Sequence, residues 1–269
     1  MEATWKQVDT TTGLDVYFHK VKPSKGVDVT NISALSDDLH KQVETRFGKR
    51  IDQLLGQVLN ATDIQTRTEA LCRMRKYIKR VMNYKWYYEP FTAVLTNEEI
   101  TKKVESLKQC VYPHEDVYFR KANFVYRYFQ PYLENEECIV TKDMVTELID
   151  RCNKVLATVN TEKMFRKNGT LVRDFFFKFR YGEDYTNITI GRKTEEEKRI
   201  EEFRKECGLR TQEFKDTAED LLPTQSGFFF GSTDYDEWYV YDVMSCKHQF
   251  EKLLKNWKDD EVVYNIMSW

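Results

Sequence analysis

The chain is predicted to be mainly α, in an α+β fold: a helical bundle-like body with an N-terminal hairpin and short β elements. Three observations predict this. Several long stretches carry apolar residues at helical spacing behind residues suited to capping. Only short stretches alternate apolar and polar with period two. Gly and Pro are scarce, 10 and 5 among 269 residues, so long disordered or linker-like tracts are not expected.

Residues 5 to 21 read as a hairpin. Trp5 and Val8 lead to turn residues Thr11, Thr12 and Gly13, after which Leu14, Val16 and Phe18 alternate with Asp15, Tyr17 and His19. From Ser36, a candidate cap, Leu39, Val43, Phe47, Ile51, Leu54, Leu55 and Val58 repeat at helical spacing. Asp63 is suited to cap a second helix whose apolar stripe is Ile64, Leu71, Met74, Ile78 and Val81. Thr96-Asn-Glu-Glu99 is a capping box opening a third helix to about Cys110. An aromatic connector, YKWYYEPF, lies between the second and third helices.

Pro113 marks an internal boundary, which divides the chain into residues 1–112 and 113–269. Asp116 to Gln130 is expected to be helical and stopped by Pro131. Cys138 to Val140 is a short strand, and Thr141 caps an amphipathic helix with Met144, Val145, Leu148, Ile149, Cys152 and Val155 on one face. The stretch LVRDFFFKFRYGEDYTNITI reads as a hairpin turning at Gly182. Residues 194–207 form a charged helix ended by Gly208, and a last helix runs from about Tyr235 to Trp257.

Composition narrows the function classes. The net charge of −2 argues against a uniformly basic nucleic-acid binder; nucleic acid is left open as a partner and not favoured. The six cysteines are scattered without a CxxC pair, which suits reduced thiols in a cytosol better than a disulfide framework. The N-terminal MEATWKQVDTTTG lacks a basic-then-apolar signal pattern, and no run of about 18 apolar residues occurs, so no membrane partner is expected.

Enzyme signatures are absent. His19, His40, His114 and His248 have no second His or Cys at ligand spacing, so no metal is expected. Asp234 and Asp236 form a DxD pair, and acids in a first helical turn also complement the helix dipole. There is no GxSxG elbow, GxxxxGK[ST] loop or GxGxxG, and no cofactor is implied. Two other features invite binding. Residues 66–86 hold seven basic residues against one acid, with Arg73, Lys76 and Arg80 on one face and Trp86, Tyr87 and Tyr88 following, a mixture typical of interface anchors. Around Gly231, the residues Ser232, Thr233, Asp234, Tyr235, Asp236 and Trp238 combine hydroxyls, acids and aromatic rings. They suit a ligand with a flat ring and N–H donors, such as a nucleobase, better than a bare phosphate.

Three segments, YFRKANFVYRYFQ (118–130), LLPTQSGFFFGSTDYDEWYVYD (221–242) and the closing SW, resemble a widespread family of small, uncharacterised tailed-bacteriophage proteins. In that family an Arg-Lys-Ala-Asn start leads into a helix, a short strand and a further helix, which Arg120, Lys121, Ala122 and Asn123 match here. The resemblance covers roughly 113–160 and 218–269, with an insertion at about 161–217. The first 112 residues are foreign to it, and Tyr126, Tyr128 and Phe129 stand in a helix that usually includes a Trp.

The resemblance implies a viral protein working in the host bacterial cytoplasm, in host takeover or anti-defence. The expected ligand-binding residues are Arg120, Lys121 and Asn123 with Ser232, Thr233, Asp234, Tyr235, Asp236 and Trp238, sequestering a nucleotide-like molecule. A second expectation is an inhibitor that occupies a host protein through Arg73, Lys76, Arg80, Trp86 and Tyr87. A third is a metal-dependent enzyme on nucleotides or nucleic acid using Asp234, Asp236 and Glu237.

Overall fold

A computed structural model describes residues 13–82, 91–92, 94–165, 190–227 and 230–268. The chain divides into two units. One comprises Val21–His114 with Asp260–Val262; the other takes the chain up to Lys20, Glu115–Asp259 and Val263 onward. The break after His114 lies close to the expected boundary, but the first strand up to Lys20 groups with the residues beyond it.

The first unit is built on three helices, α1 (Ile32–Leu59), α2 (Ile64–Met82) and α3 (Asn97–Lys108). Helix α1 begins ahead of Ser36 because Asn31 caps it, its side chain accepting from the Ala34 N–H. Asp63 starts α2 by accepting from the Thr66 N–H at 2.8 Å. Thr96 and Glu99 form the expected capping box of α3. Phe47, Ile51, Leu54 and Val58 of α1 meet Leu71 and Met74 of α2 and Ile100 and Val104 of α3 in one core. Ile64, expected in the buried stripe, is 66% exposed, because the helix starts there and its first turn lies outside the core. Arg67 ties α2 to the start of α3, donating to Asn97 Oδ1 at 2.6 Å and to the Leu95 carbonyl at 2.8 Å.

The second unit contains a four-stranded sheet in the order β2-β1-β4-β3, from β1 (Asp15–Val21), β2 (Val117–Arg120), β3 (Glu137–Val140) and β4 (Val262–Ser268). β1 pairs antiparallel with β2, Val16 opposite Phe119 and Phe18 opposite Val117; β3 pairs antiparallel with β4, Val140 opposite Val263. Both edges of β1 are taken, and the expected other arm of its hairpin lies outside the described residues. Its inward residues Val16 and Phe18, with Leu14 just ahead of it, are fully buried, as the alternation predicts.

Residues 116–130 are not one helix. Val117 and Phe119 point into the core from β2, Lys121 breaks the chain direction, and only Asn123–Phe129 is helical (α4). The segment's apolar positions fit a helix face and a strand face equally, and pairing with β1 decides between them. β2 is an edge strand, and Gln249 covers part of that edge. Its side-chain amide accepts from the Tyr118 N–H and donates to the Tyr118 carbonyl, both at 3.2 Å.

Around the sheet lie α5 (Lys142–Ala157), α6 (Thr161–Met164), α7 (Ile190–Glu206), α8 (Gln212–Leu221) and α9 (Glu237–Lys255). Thr141 caps α5 as expected, and Gly208 follows α7 with φ of 85°. Helix α8 and strand β4 were not anticipated from the sequence pattern. Phe18, Phe129 and Phe250 pack ring against ring at the centre of this core, with Phe18 and Phe250 edge to face at 5.0 Å. The expected hairpin around Gly182 lies outside the described residues. Among the described residues no helix is long and apolar enough to cross a membrane.

Candidate functional site

The corner between β2 and α4 is where residues 120–123 meet the 230–232 loop. Lys121 occupies it with φ of 60°, a left-handed conformation that costs an L-residue other than Gly roughly 1 kcal/mol or more. Its N–H donates to the Leu14 carbonyl at 2.7 Å. Two glycines flank its side chain. A Cβ at Gly13 would come within 3.1 Å of Lys121 Cε, and one at Gly231 within 3.3 Å of Lys121 Cβ. Gly231 itself has φ of 84°, so it needs both the space and the backbone freedom of glycine.

Asn123 fastens the second segment to this corner. It is 3% exposed, and its amide donates to the carbonyls of Phe230 at 3.2 Å and Ser232 at 2.8 Å. Those bonds make Asn123 a clamp on the loop, with its N–H groups committed to protein. Phe230 packs edge to face on Tyr126 at 4.9 Å.

Beyond the clamp the loop is held by its own polar groups. Ser232 Oγ accepts from the Asp234 N–H at 3.1 Å, and Thr224 Oγ1 donates to the Thr233 carbonyl at 3.1 Å. The Tyr235 hydroxyl accepts from the Thr224 N–H at 3.2 Å, while its ring meets Tyr239 edge on at 4.9 Å. Tyr235 is therefore an anchor under the loop, and the more exposed ring is Trp238, at 38%. Asp236 caps α9, accepting from the N–H groups of Trp238 and Tyr239. Burial pushes the Asp236 carboxyl up, against the pull of the Tyr239 N–H.

The acids of this turn are not all available to a ligand. Glu237 is 2% exposed and is gripped by Arg204 through Nε at 2.9 Å and a second guanidinium nitrogen at 3.0 Å. Asp234 is exposed, while Asp236 is engaged at the helix start. Arg120 and Lys121 are exposed as well. The DxD pair is thus split between a solvent-facing side chain and a cap. Among the described residues no group of three or more His, Cys, Asp or Glu is placed to hold a metal ion, and all six cysteines are free thiols.

The structure brings Arg120, Lys121 and Asn123 together with the Gly231–Ser232 turn and leaves Thr233 to Trp238 as its continuation into α9. Arg73, Lys76 and Arg80 are exposed on α2 in the other unit, and Trp86 and Tyr87 lie outside the described residues. Sequence reasoning missed Gly13, which adjoins Lys121 from more than a hundred residues away, and Arg204, whose partner Glu237 follows by 33 positions. Neither carries a local signal, since each is defined by what folding places beside it.

Fold and corner together define an α+β protein with a cationic, glycine-flanked turn pinned to a polar aromatic loop. No family model, no curated protein and no solved structure matches the chain.

Proposed function

We propose that the protein is a bacteriophage accessory binding protein, acting in host takeover or anti-defence inside the bacterial cytoplasm by sequestering a nucleotide-like ligand. It works by occupancy and not by turnover. The observation that carries the reading is Lys121, held left-handed beside Arg120 between Gly13 and Gly231. A glycine would sit there at lower cost, and a strained side chain retained at a surface corner is where ligand-handling residues concentrate. Arg120 and Lys121 offer phosphate contacts, and Trp238 offers a stacking face for a base. The family resemblance of these same two segments supports the viral setting.

Native mass spectrometry on protein recovered gently from bacterial lysate tests the reading, with calorimetric titration of nucleotides. A bound mass of a few hundred daltons is expected, lost in Arg120→Ala with Lys121→Gly. Because Lys121→Gly also relieves the backbone, the same variant is expected to melt no lower than the parent, separating loss of binding from loss of fold. Undiminished ligand binding by that variant, or no nucleotide binding by the parent, overturns the assignment.

A further inference from the structure

The helical unit carries a second feature, independent of the corner just described. Helix α1 exposes Arg46, Lys49 and Arg50, and α2 exposes Arg73, Lys76, Lys79 and Arg80. The two helices are joined at this level by Phe47 and Tyr77, whose rings stack at 5.7 Å with 14° between planes. Burial raises the pKa of the Tyr77 hydroxyl, and Arg50, Arg80 and Arg46 oppose that rise, with no carboxylate acting on it among the described residues. Arginines of both helices therefore flank the Phe47–Tyr77 seam.

Several cations elsewhere in the unit have partners. Lys108 is paired with Asp52 and Glu105, Lys22 with Asp260, and Arg67 with Asn97. Arg50 reaches the neighbouring Gln53, whereas Arg46, Lys49, Arg73, Lys76, Lys79 and Arg80 make no ion pair among the described residues. Like charges at helical spacing and across a helix seam are mutually destabilising, and a bound polyanion relieves that repulsion.

We propose that the face formed by Arg46, Arg50, Arg73 and Arg80 docks on the phosphate backbone of double-stranded nucleic acid. Among the described residues, the large exposed apolar side chains of this unit are Val29, Ile64, Val94 and Tyr112, so what the basic stretches of α1 and α2 themselves present is charge. Single strands are gripped through aromatic platforms, and the Tyr77 ring is already occupied by Phe47. From Arg73 to Arg80 the helix rises about 10 Å. Over that length a duplex presents about six phosphate charges, enough to neutralise every cation of the face. Guanidinium groups match phosphate in a bidentate fork, which favours arginine here. The contact is independent of base sequence.

The test is fluorescence anisotropy of the full chain with a labelled 20-base-pair duplex of arbitrary sequence, across a salt series. Binding at 50 mM salt is expected, with a log–log salt slope of about −4 for four phosphate contacts. Arg46→Glu with Arg80→Glu should weaken binding at least tenfold, and the neutral Arg46→Gln with Arg80→Gln should fall between, each with an unchanged helical spectrum. Lys25→Glu with Lys252→Glu alters net charge equally and should stay within threefold of the parent. No duplex binding at 50 mM salt overturns the proposal, as does equal weakening by the Lys25 and Lys252 pair. It is also overturned if polyglutamate displaces the probe as well as unlabelled duplex does, which would mark an acidic protein partner, or if a single strand binds more tightly.

Discussion

Asp242 shows how one residue is shaped by its neighbours. It sits on α9, one turn after Trp238, and its carboxyl is pushed up to about 7, by burial first and by Asp236 second. In the unfolded chain the group has its ordinary value near 3.8. The folded state therefore holds the proton more tightly. Its contribution to stability is complete below the unfolded value and is lost as pH rises through about 7. Asp242→Asn keeps the neutral form at every pH. The melting temperature of that variant is expected to gain on the parent between pH 5 and 8, by an amount on the order of 2 kcal/mol in stability. A constant gap across that range would show that Asp242 ionises in the fold as it does in water. Nothing in the run Asp234 to Asp242 distinguishes this acid by sequence. Asp234 is exposed, Asp236 is a cap, Glu237 is ion-paired, and Asp242 has no cation partner among the described residues.

At the scale of elements, legibility follows how local the cause is. The capping box at Thr96, the cap at Thr141 and the stop at Gly208 are encoded within four residues, and the structure has them where the pattern puts them. β2 and β4 owe their form to strands far away in the chain, and the pattern misread the first as helix and passed over the second. The same applies to the join between α7 and α9. Arg204 grips Glu237, which sits in the first turn of α9 with almost no exposure. Removing the guanidinium alone would strand a buried carboxylate, at a cost of about 3–5 kcal/mol. Arg204→Ala is thus expected to lower the denaturant midpoint steeply, and adding Glu237→Gln should recover much of the loss. If the single and double variants unfold alike, the pair does not secure this turn.

On the scale of the whole molecule, the helical unit has a core of its own, from Phe47 to Val111, and is one continuous stretch apart from Asp260–Val262. One link to that short piece is the solvent-exposed pair Lys22–Asp260, a type of contact worth little. Residues 21–114 expressed alone are expected to keep a helical spectrum and melt cooperatively; a broad, non-cooperative melt would show that this core needs the rest of the chain. The candidate site was legible in a different measure. The two segments that form it stand out in sequence, and the structure places them against each other. The roles inside it did not, because Asn123 and Tyr235 look like ligand contacts until their bonds to the 230–232 carbonyls and to Thr224 are seen.

The strand order β2-β1-β4-β3 also sets a timetable. β1 lies beside β4, though one is made from residues 15–21 and the other from 262–268. On the ribosome the helical unit can close as soon as its residues emerge, while β1 must wait for about 240 further residues to be made before its neighbour exists. Throughout that interval an apolar strand ending in a free edge is open to chaperones and to other nascent copies. Codon usage and growth temperature should therefore govern the yield of this protein more than its final stability does.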